Sequence, residues 1–196
     1  GLHKKLPYDP LKDFAPVSLL GTAPSLLTVH PSQPVKSVKD LIALAQAKPG
    51  KLNFVSAGHG TPPHLAGELF KVMTGVDMVH VPYKGGGPAL ADLLAGQVEL
   101  YFSGISSVLP FVREGRLRGV AVTSAKRTAV LPDTPTVIES GLAGFEVSNW
   151  YAVSAPAATA GTIIAQLNAE IRRAVAAPEL KRRFLDLAAD QIGRAH

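Results

Sequence analysis

The run Leu52-Asn53-Phe54-Val55-Ser56-Ala57-Gly58-His59-Gly60-Thr61-Pro62-Pro63-His64-Leu65-Ala66 decides the fold. Leu52 to Ser56 is apolar and of strand length, and Ala57 to Thr61 is a glycine-bearing loop. From about Pro62 to Thr74, Leu65, Leu69, Val72 and Met73 recur at helical spacing and predict one buried stripe. Thr61 suits the N-cap, and Pro62 suits the first turn, where a missing N–H costs nothing. Strand, loop and helix in that order form the repeating unit of an α/β sheet.

The unit recurs downstream. Met78 to Pro82 reads as a strand, Tyr83 to Gly87 as a glycine-rich loop and Pro88 to Ala95 as a helix. Val98 to Phe102 is a further strand, followed by Ser103 to Ser107 and a short helix to Glu114. Leu117 to Thr123 is another strand, Thr134 to Ser140 a short helix behind Asp133, and Val147 to Ser154 an extended run. Upstream, Ser37 caps a helix whose Val38, Leu41, Ile42 and Ala45 share a face, and Pro49-Gly50 ends it. The apolar runs Ala15 to Leu20 and Ser25 to Val29 read as one long extended segment crossing between lobes. This alternation predicts a mostly parallel sheet with helices on both faces. After Pro156 the pattern changes to two helices, about Gly161 to Ala176 and Pro178 to Ala189, with no strand partner of their own. Gly193 to His196 carries no structural signal.

Composition excludes several classes. The 196 residues suit one large domain or two small lobes. With no cysteine there is no disulfide framework, thiol nucleophile or thiolate zinc site. No stretch approaches the roughly 20 apolar residues that span a bilayer. No signal peptide opens the chain at Gly1-Leu2-His3-Lys4-Lys5. The net charge of +5 gathers partly on Arg172, Arg173, Lys181, Arg182 and Arg183, with no interleaved aromatics. That pattern reads as a solvated helix face, so no nucleic-acid partner is expected.

Ligands of open α/β sheets bind outside the carboxyl ends of the strands. Three loops sit at such ends: Ser56 to Thr61, Tyr83 to Gly87 and Ser103 to Ser107. They hold Gly, Ser, Thr, His, Tyr and one Lys, and no carboxylate. Free amides at the Thr61 helix start are expected to attract an anion. Phosphate-loop and dinucleotide patterns are absent, because position 63 is proline and Gly85-Gly86-Gly87 follows the lysine. No serine lies in a nucleophile-elbow pattern, so no catalytic residue is assigned. His59, His64 and His80 match no ligand spacing, so no metal and no cofactor is expected. An enzymatic alternative would use His64, oriented by Glu68 four residues later, on a carboxylated substrate.

Several stretches together carry a family resemblance. They are Lys5 to Pro10 with Asp13-Phe14, Ser56 to Thr61 with His64-Leu65-Ala66, and Val81-Pro82-Tyr83-Lys84-Gly85. Gly96 to Glu99, Gly115 to Arg118 through Ala121-Val122-Thr123, Leu131 to Thr136, and Gly144-Phe145-Glu146 ahead of Trp150-Tyr151 complete the set. In order and spacing the chain resembles the Bug-type extracytoplasmic receptors of tripartite tricarboxylate transporters. The resemblance implies an α/β, periplasmic-binding-protein-like architecture of two lobes, one complete and the other partial. It places 1–23 in the first lobe and its crossover, 24–149 in the second, ligand-binding lobe, and 150–196 in the return crossover and first-lobe helices. It implies a periplasmic receptor, lacking here the family's N-terminal part, that captures a small carboxylate without acting on it. The ligand would be a dicarboxylate, tricarboxylate, amino acid or aromatic acid. Implied ligand contacts are Ser56, Gly58, His59, Gly60, Thr61, His64, Tyr83, Gly85, Ser103 and Ser106. The family often carries Asp near the position of Ser103, a departure that would alter ligand preference. Implied partners are membrane permease subunits or, for a signalling co-receptor, a sensor kinase. Unmatched apolar faces on the last two helices are expected to favour self-association.

Overall fold

The computed structural model describes residues 6–194. Gly1 to Lys5, on which the signal-peptide reading falls, lie outside them, as do Ala195 and His196. The elements in chain order are β1 (Phe14–Val29), α1 (Val38–Ala47), β2 (Asn53–Ser56), α2 (Pro62–Thr74), β3 (Val79–Pro82) and α3 (Gly86–Leu94). They continue with β4 (Leu100–Gly104), α4 (Ile105–Arg113), β5 (Arg118–Val122), β6 (Ser148–Pro156), α5 (Gly161–Ala176), α6 (Pro178–Asp186) and β7 (Asp190–Arg194). The chain divides into two compact units, Pro24–Asn149 and the residues up to Ala23 with those from Trp150.

In the unit Pro24–Asn149 the strand order is β3-β2-β4-β1-β5. β2 runs parallel to β3 and to β4, with Phe54 opposite His80 on one side and Leu100 on the other. β1 runs against both β4 and β5. The sheet is therefore mixed, with β1 the one reversed strand between parallel neighbours. Its core includes Leu27, Leu41, Phe54, Phe70, Leu100, Phe102, Val120 and Phe145. Phe70 and Phe102 stand 5.9 Å apart, and Phe145 lies 6.3 Å from each. Such aromatic contacts add to simple area burial.

α1 starts as its sequence dictates. The Ser37 hydroxyl accepts from Asp40 N–H at 3.1 Å, and Val38, Leu41 and Ala45 are buried. α2 keeps the expected span but not the expected stripe. Pro63, Ala66, Gly67 and Phe70 are buried, Leu69 and Met73 pack at the core edge, and Leu65 and Val72 are exposed. Gly67 sets this phase: a Cβ there would lie 2.2 Å from the Phe54 ring, so only glycine lets helix and strand approach so closely. Thr61 holds the cap position without capping, since its hydroxyl donates backwards to Gly58 O at 2.7 Å.

Thr134 to Ser140 forms no helix. It is a turn beginning at Thr136, where Thr136 N–H donates to Glu139 Oε2 and Glu139 N–H to Thr136 Oγ1. That reciprocal pair is a capping box, and no helix is built on it.

In the other unit the first part of β1 pairs with β7, with Leu19 opposite Arg194 and Thr22 opposite Asp190. β6 also pairs with β1. Ala195 and His196 lie outside the described residues, while Asp190–Arg194 forms a strand that reaches into the stretch where the sequence carried no signal. It escaped notice because its partner lies far away in the chain and supplies the ladder. Asn168 Nδ2 donates to Val17 O at 2.6 Å and ties α5 to β1.

Candidate ligand site at the carboxyl edge of the sheet

β3, β2 and β4 are adjacent and parallel, so their carboxyl ends share one edge of the sheet. From that edge start α2, α3 and α4. The first amides of a helix have no internal acceptor, and each helix start carries about half a positive charge. None of the three helices has an acidic residue in its first turn.

The loops are tied to one another by the backbone. Tyr83 N–H donates to Ser56 O at 3.0 Å and Gly85 N–H to Ala57 O at 3.1 Å. Gly58 has φ +134° and Gly60 φ +77°, conformations that suit glycine. Ser56 is buried, and its hydroxyl organises the loop. It donates to Gly58 O at 3.0 Å, accepts from Gly58 N–H at 3.1 Å and meets His80 Nε2 at 2.7 Å.

The sequence-expected residues fall into three groups. His59 is exposed in the loop, Gly60, Thr61 and His64 are half-buried beside it, and Ser106 is exposed in the first turn of α4. Ser56, Gly58, Tyr83 and Gly85 form the supporting layer. The Tyr83 hydroxyl donates to Asp92 Oδ2 at 2.5 Å, and that bond, with burial second, pushes its pKa up to about 12. Ser103 stands apart: it is fully buried and its hydroxyl lies 3.5 Å from Thr28 Oγ1.

The supply of free amides at α2 is smaller than the sequence suggested. Pro62 and Pro63 have no N–H, Gly60 N–H donates to His64 Nδ1 at 3.0 Å, and Thr61 N–H to Gly58 O at 3.4 Å. His64 N–H is what the first turn retains. α3 adds the amides of Gly86 and Gly87 ahead of Pro88, and α4 those of Ile105 and Ser106. Glu68 does not orient His64: it pairs with Lys71 Nζ at 3.2 Å.

Two residues belong to this edge that loop reading missed. Tyr101 is buried on β4, yet a Cβ at Gly86 would lie 3.2 Å from its hydroxyl, so the phenol reaches the start of α3. His80 on β3 stacks between Phe54 at 4.9 Å and His64 at 4.1 Å. Burial, then the charges of His64 and His59, push its pKa down to about 4 and keep it neutral at pH 7. Both lie on strands, and only sheet register brings them to the loops.

The unit Pro24–Asn149 is thus of the mixed α/β class, a lobe whose helix starts collect at one polar edge. The family described as "Tripartite tricarboxylate transporter family receptor" matches residues 2–192, and the chain belongs to it. It is 39% identical over 194 residues to the "UPF0065 protein in tcbD-tcbE intergenic region" of Pseudomonas sp. strain P51, covering 98% of this chain and 58% of that one. Among solved structures it is similar to "R. palustris Rpa4515 with adipate", with TM-score 0.91 and 37% identity over 97% of this chain and 64% of that one. It is also similar to "Structure of periplasmic binding protein BugD", with TM-score 0.89 and 32% identity over 98% of this chain and 64% of that one. The fold is therefore that of periplasmic binding proteins, and the chain spans under two thirds of these relatives' length.

Proposed function

We propose that the chain is the ligand-holding portion of a periplasmic receptor that captures a small carboxylate and does no chemistry on it. The observation that carries this reading is the common origin of α2, α3 and α4 at one sheet edge, with no acid in any first turn. Three partial positive charges and a set of unpaired amides there favour a compact anion. His59, Gly60, Thr61, His64 and Ser106 are the proposed contacts, with the Gly86 and Gly87 amides beside them. Ser56, Gly58, Tyr83 and Gly85 hold the loops in place. The relative solved with adipate supports a dicarboxylate, and BugD's description supports the periplasm.

Binding without turnover fits the chemistry of the edge. Glu68 is paired with Lys71, and Tyr83 is held by Asp92. The enzymatic alternative therefore lacks the Glu68 contact that was to orient His64. The family points to membrane permease subunits as the recipients of captured solute. Exposed Ile163, Leu167, Leu185 and Leu187 support self-association of this chain, which sedimentation would read.

Ser106→Asp in the full-length protein tests the site. A carboxylate in the first turn suits helix α4, so the unliganded melting temperature should hold or rise. The same charge should abolish the thermal stabilisation given by adipate and other small dicarboxylates. Undiminished stabilisation of the variant would overturn the proposed edge.

A further inference from the structure

The fold assembles three imidazoles that the sequence scatters. His59 stands in the loop after β2, His64 in the first turn of α2, and His80 on β3. One ring nitrogen of each lies within 4.8 Å of the other two. Ring centroids are 5.5 Å apart for His59 and His64, 5.1 Å for His59 and His80, and 4.1 Å for His64 and His80. We propose that His59, His64 and His80 form a binding site for a first-row divalent cation of the zinc type. The proposal does not rest on the carboxylate reading, because it needs only the three rings.

Three neutral imidazoles with a fourth position open are a recognised zinc donor set. No oxygen ligand stands among them, so the set does not suit calcium or magnesium. Ring-bound zinc sits about 2.0–2.1 Å from each nitrogen, which puts tetrahedral ligand atoms about 3.3 Å apart. The rings must therefore draw together. His59 supplies part of that movement, since it is exposed and flanked by Gly58 and Gly60, both at positive φ. The half-buried His64 must also turn out of its stack on His80. His80 already has the outer contact that metal-bound histidines use. Its Nε2 meets the Ser56 hydroxyl at 2.7 Å, and that hydroxyl can donate onward to Gly58 O at 3.0 Å. Nδ1 of His80 is left as the coordinating atom.

His64 gives the site a signature. A neutral imidazole has one lone-pair nitrogen, and here Nδ1 spends it on Gly60 N–H. If the cation binds Nδ1 it displaces that amide. If it binds Nε2, the ring proton moves to Nδ1, which then cannot accept. Either way metal binding ends the Gly60 bond, so cation occupancy and loop conformation are coupled.

The test uses the whole 196-residue chain without an affinity tag, stripped with a chelator and titrated with zinc sulfate in carboxylate-free buffer. One equivalent should bind by calorimetry. The Gly60 amide resonance should move along the same isotherm, a readout that needs no variant. His59→Asn changes an exposed side chain and leaves the core intact. It should weaken binding at least about tenfold, the lower bound seen when even an outer contact of a metal site is lost. His80→Gln should do the same. Unchanged affinity in both variants, a stationary Gly60 resonance, or no saturable binding would overturn the site. Carboxylates are absent throughout, so the result is independent of whether the edge binds them.

Discussion

Gly67 shows how one missing side chain sets the geometry of a lobe. The Phe54 ring occupies the space where a Cβ would sit, with ring carbons 2.2, 2.4 and 2.8 Å away. Phe54 is fully buried, lies on β2 beside both β3 and β4, and stacks on His80. Gly67→Ala cannot be absorbed by a flexible tip, so helix or strand must shift. Better helix propensity would return about 1 kcal/mol, against an overpacking cost of about 1–3 kcal/mol. Urea denaturation should therefore show net destabilisation, and His80 resonances should move with it. Tyr83 is a second residue with a measurable consequence. Its proton is held by Asp92, with a pKa near 12 against an ordinary 10. Above pH 10 the unfolded chain gives up this proton before the folded one does. Tyr83 therefore stabilises below pH 10, and its contribution fades as pH rises through about 12. Ultraviolet titration should show a late phenolate step that Tyr83→Phe removes.

Elements whose signals are local were legible in the sequence, and elements fixed by distant partners were not. α1 begins at Ser37 because a side-chain oxygen three residues before Asp40 N–H is a self-contained device. Ser37→Ala should cost about 1 kcal/mol in thermal unfolding. The edge loops at β2, β3 and β4 could also be found, since strand–glycine–helix order reveals them. The phase of α2 could not be read so easily. Leu65 and Val72 carry more apolar bulk than Gly67, yet they face solvent, because a strand packing from outside the local window chose the smaller face. The same holds for the three histidines, whose meeting depends on β2 and β3 being neighbours. The expected helix behind Asp133, from Thr134 to Ser140, is instead a turn, in which a capping box between Thr136 and Glu139 closes without a helix to follow. That box makes its own prediction. The Glu139 carboxyl is held below its ordinary 4.5 first by Thr136 N–H and then by Arg127, whose Nε lies 2.9 Å from Oε2. A depressed carboxyl stabilises above its unfolded value and loses that contribution as pH falls through the folded one. The stability advantage over Glu139→Gln should therefore persist at neutral pH and shrink below about pH 4.5.

At the scale of the whole chain, burial is unevenly shared. The main hydrophobic cluster, from Leu27 to Phe145, lies within Pro24–Asn149. The other unit buries Val17, Ala155, Val175, Ala188 and Ala189, mostly small residues. Along α5 only Val175 is buried, and α6 has no buried residue. Hydrophobic stabilisation scales with apolar area removed from water, so the two units cannot resist opening equally. Segments with few buried contacts open at lower free energy than the core. α5 and α6 also lack a side-chain hydrogen bond at their N-caps, and their ion pairs Arg173–Glu170 and Arg183–Glu179 are exposed and weak supports. Hydrogen exchange should therefore run in a fixed order under native conditions. Amides of α5 and α6 should exchange first, and those of β2 and β4 last, by at least about one decade in rate, equivalent to about 1.4 kcal/mol. A bound dicarboxylate should slow exchange in the loop from Ala57 to Thr61, whereas zinc, by ending the Gly60 bond to His64, should speed exchange at Gly60, and neither should change α5. Equal protection of α5 and β2 would mean that the two units unfold as one.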